Sequence, residues 1–183
     1  MATLAMTLLL WMPTASALTP QSEQDRAQDF LSQPATGLVE AVREATAKYK
    51  DVNKAMADGY VPVLGCVSSP EEGGMGAHYL KASLLGDDVD AAHPQLLVYE
   101  PLGNGRLQLV AVEYLTIAEN WDANHTDGSP PILMGQLFDY MSGPNRFRLP
   151  AFYSLHVWAW KFNPMGVFSM WNPRVSCAEY TGT

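Results

Sequence analysis

A chain of 183 residues that is 48% hydrophobic and only 16% charged has the composition of one globular domain with a real core, not of a disordered chain. Its formal charge of -8 and its lack of any Lys/Arg cluster argue against nucleic acid and anionic lipid as partners, because both need basic patches.

The opening residues, MATLAMTLLLWMPTASALTP, have the texture of an export signal. Residues 2–12 are apolar but too short to span a bilayer, and Ala15, Ser16 and Ala17 suit a small-residue cleavage site. No Lys or Arg precedes the apolar run, so the positive charge falls to the amino terminus or to residues upstream. A buried N-terminal helix is the competing reading. Residues 1–17 are therefore read as a signal peptide, which makes the mature chain soluble and exported, periplasmic or extracellular. No later stretch reaches membrane-spanning length. In an oxidising compartment the two cysteines, Cys66 and Cys177, are expected to form a disulfide. Two free thiols are the alternative, and neither cysteine has the C-x-x-C spacing of a redox or zinc motif.

Residues 18–35 are polar and interrupted by proline, and read as a flexible lead. Thr36 can cap one long helix whose apolar groups recur at Val39, Val42, Ala45 or Thr46, Tyr49, Val52 and Met56, with Gly59 as its stop. From Tyr60 onward strand signals dominate. YVPVLGCV reads as a strand in which Pro62 marks an edge or a start, and MGAHYL as a short strand. QLLVYEPLGNGRLQLVAVEYLTI reads as a hairpin that turns at Gly103, Asn104 and Gly105. ENWDANHTDGSPP reads as a polar loop, ILMGQLF as one strand, DYMSGPNRFRLP as a loop and AFYSLHVWAWKF as the longest strand; two Asn-Pro turns follow. Strands do not alternate with helices. The fold class expected is α+β, an antiparallel sheet or small barrel-like sheet with one N-terminal helix packed on it, in a single domain over 36–183.

Strand parity nominates a site, because successive side chains face opposite ways. In RLQLVAVEYL it groups Glu113 with Leu107, Leu109, Ala111 and Leu115 on the more apolar face. An unpaired carboxylate there costs several kcal/mol, enough to force protonation or a partner. In FYSLHVWAWK, Phe152, Ser154, His156, Trp158 and Trp160 share a face; in MGAHYL, His78 shares one with Gly76 and Leu80. Three readings remain open. His78, Glu113 and His156 form a mononuclear site for a divalent transition metal ion (zinc, iron, manganese or copper), with open positions for water or substrate and Tyr79 or Tyr114 orienting it. Alternatively Glu113 pairs with Arg174, Arg148 or Lys161 in a buried network. In the third, Glu113 and a histidine form a metal-free acid–base site. His93 and His125 fall in polar loops and read as solvated turn residues. The aromatics Trp158, Trp160, Trp171, Phe162 and Phe168 read as core or pocket wall, so a metal-free protein with an aromatic-lined pocket for a small molecule is the alternative function. The serine-hydrolase elbow, the P-loop and G-x-G-x-x-G are all missing.

The segments GGMGAHYL, LLVYEP, VEY, LHVWAWKFNPMGVFSMWNP and a closing SC resemble a group of small exported bacterial proteins of unassigned function. The likeness spans about Ala45 to Cys177. It implies export and a single domain, and it implies no catalytic residue.

Overall fold

The computed structural model describes residues 37–182. The expected signal peptide (1–17), the lead (18–35) and the Thr36 cap lie outside the described residues.

The expected single helix is broken into α1 (Gly37–Thr46), a 3-10 turn (Ala47–Lys50) and α2 (Val52–Ala57). Two side chains account for the break. Thr46 turns its hydroxyl back to the Val42 carbonyl at 2.6 Å, a habit that weakens a helix interior. Asp51 adopts an extended backbone and caps α2 by accepting from the Asn53 amide at 3.0 Å. The new cap resets the helical phase, so Ala55 is buried where Met56 was expected, and Met56 is 45% exposed. Leu38, Val39, Val42 and Tyr49 belong to one apolar cluster with Tyr79, Leu97, Tyr99 and Tyr114. Tyr99 donates its hydroxyl to the Tyr49 carbonyl at 2.7 Å, and Arg43 donates Nε to the Ala159 carbonyl at 2.7 Å.

The strands are β1 (Val61–Ser69), β2 (Gly73–Leu80), β3 (Leu96–Pro101), β4 (Leu107–Ile117), β5 (Ile132–Leu133), β6 (Gln136–Leu137), β7 (Asp139–Met141) and β8 (Phe152–Val157). Six of them form a mixed-fold core, a curled antiparallel half-barrel in the order β1-β2-β3-β4-β8-β7. Pro62 lies on the edge strand β1, where its missing N–H breaks no inner ladder. The β3–β4 turn places Gly103, Asn104 and Gly105 at φ of 75°, 52° and 69°, as the hairpin signal requires.

Four local expectations are corrected. ILMGQLF is a pair of two-residue strands, β5 and β6, folded back where Met134 and Gly135 take φ of 46° and 85°, the geometry of a tight hairpin turn. The loop read into DYMSGPNRFRLP begins with β7, which pairs with β8. The polar loop after β4 contains a helix, α3 (Ala118–Asn124), anchored by buried Trp121, whose Nε1 donates to the Ser129 carbonyl at 2.8 Å. Finally, β8 is only six residues long and β4, at eleven, is the longest strand. Beyond Val157 the chain leaves the ladder, so Trp160 packs with Ala159 and Val157, on the side away from Trp158. Among the described residues no helix is long and apolar enough to cross a membrane.

The sheet is apolar on both faces. One face carries Ala77, Tyr79, Leu97, Val112, Tyr114 and Leu155 in the large cluster; the other carries Leu96, Leu115 and Phe152, with Val98, Ala111 and Trp158 beyond them. A bulge divides β4 between them. Val98 pairs with Ala111, but Tyr99 pairs with Leu109, which leaves Val110 as an extra residue. Leu109 consequently joins the large cluster and Ala111 the opposite one. Leu107 and Leu109 do not share a face with Glu113, contrary to simple alternation.

Residues 172–177 are sewn onto β1 and β2. Asn172 exchanges both backbone hydrogen bonds with Gly74, at 3.0 and 3.1 Å. A Cβ on Gly74 would stand 2.7 Å from the Val175 carbonyl oxygen, so only glycine admits this approach. The two Asn-Pro turns brace each other: Asn163 Nδ2 donates to the Trp171 carbonyl at 2.8 Å and Asn172 Nδ2 to the Phe162 carbonyl at 3.1 Å. Cys66 and Cys177 are bonded, closing a sequence separation of 111 residues. The double variant Cys66→Ser/Cys177→Ser is expected to lose about 4–5 kcal/mol, the chain-entropy value for a loop of this order. Urea unfolding of the two forms checks it.

Candidate metal centre

His78, Glu113 and His156 come from β2, β4 and β8 and meet on the face that carries Leu96, Leu115 and Phe152. Glu113 and His156 are direct cross-strand partners. His78 pairs with Val98, which pairs with Ala111, so it lies one residue pair along the sheet from Glu113 and two strands away. Two strand spacings in a flat sheet are about 9.6 Å. Here His78 Nε2 stands 3.6 Å from Glu113 Oε2, while His156 Nδ1 stands 3.7 Å from Glu113 Oε1. Long side chains and the curl of the sheet close the gap. One ligand atom from each residue lies within 4.8 Å of the other two.

These separations exceed a normal N–H···O hydrogen bond. They are close to the roughly 3.4 Å between ligand atoms on a tetrahedral ion with bonds near 2.1 Å. They also lie inside the roughly 4.2 Å that two such bonds can span end to end. The buried His–His–Glu group can hold a metal ion.

All three side chains are deeply buried. Burial pushes the Glu113 carboxyl up to about 8, with the Ser154 hydroxyl pulling the other way. Burial pushes His78 down to about 4, against a smaller upward pull from the Gly76 backbone. That pull is a weak contact, because His78 Nδ1 meets no partner at hydrogen-bond geometry. His156 falls to about 3 through burial and then through its neighbour His78. Without an ion near pH 7 the site is thus electrically neutral: a protonated carboxyl between two neutral rings. The outer nitrogen of His156, Nε2, also lacks a partner, unlike most metal-bound histidines, whose second nitrogen donates. The rings are fixed by packing instead. They meet edge-on at 6.1 Å, and His156 lies nearly parallel to Trp158 at 6.3 Å.

Two of the expected cationic partners of Glu113, Lys161 and Arg174, are engaged elsewhere, and among the described residues Arg148 forms no ion pair with it. Lys161 donates to buried Glu100 at 2.5 Å, and the same carboxylate accepts the Ser176 amide at 3.1 Å. The guanidinium of Arg174 lies over Phe162 at 4.7 Å, and the ion pairs of Glu113 run to the two histidines. Sequence reasoning missed the Glu100–Lys161 pair, although a glutamate in the apolar run LLVYEP signals it as Glu113 is signalled. Tyr79 and Tyr114 belong to the cluster on the opposite face, so neither orients a ligand here. His93 is exposed and bonded to Asp90 at 2.6 Å, as a turn residue. His125 stacks on Trp121 at 3.6 Å, more constrained than a solvated loop.

A cavity of about 180 Å³ adjoins the triad. His78, Glu113 and Ser154 are its polar lining residues, and the rest is aliphatic, aromatic or thioether. Its aromatic walls are Phe147 and Phe152. The tryptophans read as pocket wall do not line it; Trp158 is core, and Trp160 and Trp171 are half-buried under Lys50 and Arg146.

No protein-family model, curated protein or solved structure matches this chain.

The shifts give the metal-free site a pH signature. Glu113 has a folded pKa above its ordinary 4.5, so its contribution to stability is full below pH 4.5 and is lost as pH rises through about 8. Each histidine has a folded pKa below 6.5, so its contribution is present above pH 6.5 and is lost as pH falls through about 4 and 3. Between pH 4.5 and 6.5 two histidines outweigh one carboxyl; above 6.5 only the carboxyl acts. Thermal melts of chelator-treated protein from pH 4 to 9 are expected to peak near about pH 6.5, and Glu113→Gln to flatten the alkaline decline.

Proposed function

We propose that the protein binds one divalent transition metal ion through His78, Glu113 and His156, and that the ion's remaining positions take up a small molecule. One observation carries this reading: each oxygen of a buried carboxylate faces a different buried imidazole nitrogen, at 3.6 and 3.7 Å. Two neutral imidazoles and a carboxylate suit zinc, iron, manganese or copper. Three protein ligands leave at least one position open, which is the pattern of reactive sites and not of closed structural ones. An ion in that position polarises a ligand oxygen or acidifies a bound water. The protein's own part is to hold the ligands on paired strands and keep bulk water out.

We place this activity outside the cytoplasm. The Cys66–Cys177 disulfide supports an oxidising compartment, as do the signal-like opening residues and the likeness to small exported bacterial proteins. A second reading, a metal-free protein that binds a small ligand, draws support from the apolar cavity.

Elemental analysis of protein purified without chelator separates the two. The metal reading expects one ion per chain, with affinity reduced more than about 100-fold in His78→Ala and in His156→Ala. Metal-free protein whose melting temperature ignores both chelator and added ion supports the second reading. Ion uptake at pH 7 is further expected to release about one proton, from Glu113, because both rings are already neutral. Titration calorimetry in buffers of different ionisation enthalpy measures that number.

A further inference from the structure

We propose that the cavity beside the triad binds a monoanionic amphiphile, a carboxylate with a hydrocarbon tail of about six to eight carbons, its head on the bound ion and its tail among the apolar walls. The inference rests on the metal reading above and names the class of molecule that site takes.

Three features point to this chemistry. The first is polarity. The cavity's polar side chains, His78, Glu113 and Ser154, stand on neighbouring positions of β2, β4 and β8, whereas Leu80, Leu96, Leu115, Phe147, Leu149 and Phe152 furnish the apolar wall. Such a space rewards a molecule with one polar end and offers little to a sugar or a peptide, whose distributed polar groups would be buried unpaired.

The second is charge. A divalent ion held by two neutral imidazoles and one carboxylate leaves a net charge of +1 in an apolar enclosure. Lys161 is committed to Glu100, and among the described residues no second carboxylate lines the cavity. An anionic oxygen head takes the open coordination position and brings the centre to neutrality; an alcohol or amine head does not.

The third is size and access. An apolar cavity of about 150 Å³ is enough for benzene, so about 180 Å³ accommodates a tail of that order and rejects a long-chain lipid. Leu64 and Leu85 are lining residues and are 46% and 41% exposed, so the cavity reaches the surface while the triad stays buried. The step is coordination only: a carboxylate oxygen donates a lone pair to the ion and displaces water, and no bond within the ligand breaks.

The test uses the full chain loaded with zinc, freed of excess metal, and titrated with octanoate and with acetate. Acetate has the same head without the tail. The proposal expects one octanoate per zinc, bound at least tenfold more tightly than acetate, and at least tenfold more tightly than to the chelator-treated protein. Cobalt(II)-loaded protein is expected to change its visible spectrum on adding octanoate, which reports the head group on the ion. Leu149→Phe narrows the cavity from the loop between β7 and β8, off the strands that carry the ligands; it is expected to keep stoichiometric zinc and to weaken octanoate at least tenfold. Should that variant not fold, the comparison of octanoate with acetate on the unaltered protein decides alone. Zinc bound at one per chain with octanoate no tighter than acetate overturns the amphiphile and leaves the metal reading standing. Octanoate bound equally with and without zinc overturns the head-on-ion arrangement. Zinc not bound at all overturns both readings.

Discussion

Glu113 leaves water on folding without gaining a lysine or arginine. Its oxygens face two imidazoles that are themselves stripped of solvent, and burial drives all three groups toward their uncharged forms. Desolvation of this kind costs more than it returns unless something replaces the lost hydration. A divalent cation would do so, because it would convert three reluctant neighbours into a matched donor set. The charge left over then dictates what else the enclosure welcomes. In the proposed reading, metal, counter-anion and apolar tail are three consequences of a single buried acid.

The sheet exists in the form that this arrangement demands. Four successive strands in the order β2-β3-β4-β8 hold the ligands on rigid, hydrogen-bonded backbone, which fixes their separation better than loops would. Curling brings β2 within reach of β4. The extra residue at Val110 gives β4 a different parity on either side of the bulge, so the strand fills the large cluster with Leu109 and the site's face with Ala111 and Glu113. Because both faces are apolar, neither is free to slip register, and a slip of one residue would carry Glu113 to the wrong side.

How far the sequence reveals this follows from the range of each interaction. The triad was legible because a carboxylate and two histidines in strongly apolar strands are locally conspicuous: Glu113, His78 and His156 each break an aliphatic or aromatic run. The disulfide and the β3–β4 turn were legible for similar reasons, through Cys count and the Gly103-Asn104-Gly105 signal. What escaped depends on non-local pairing. The Val110 bulge is invisible in RLQLVAVEYL, since it exists only relative to Tyr99 on the facing strand. The helix break at Thr46 and Asp51 turns on capping hydrogen bonds that compete closely with helix continuation. Glu100 and Lys161 lie 61 residues apart, and no spacing rule joins them. The cavity belongs to the curl, which no single strand encodes.

The seam between Gly74 and Asn172 has a bearing on timing. His78 sits on a strand whose start is held by residues roughly a hundred positions later in the chain. Until those arrive, that strand exposes a bare glycine ledge where the Asn-Pro braces should sit. Contacts of such long range are slow to form, so this strand gains its full cover only once the latter part of the polypeptide has docked.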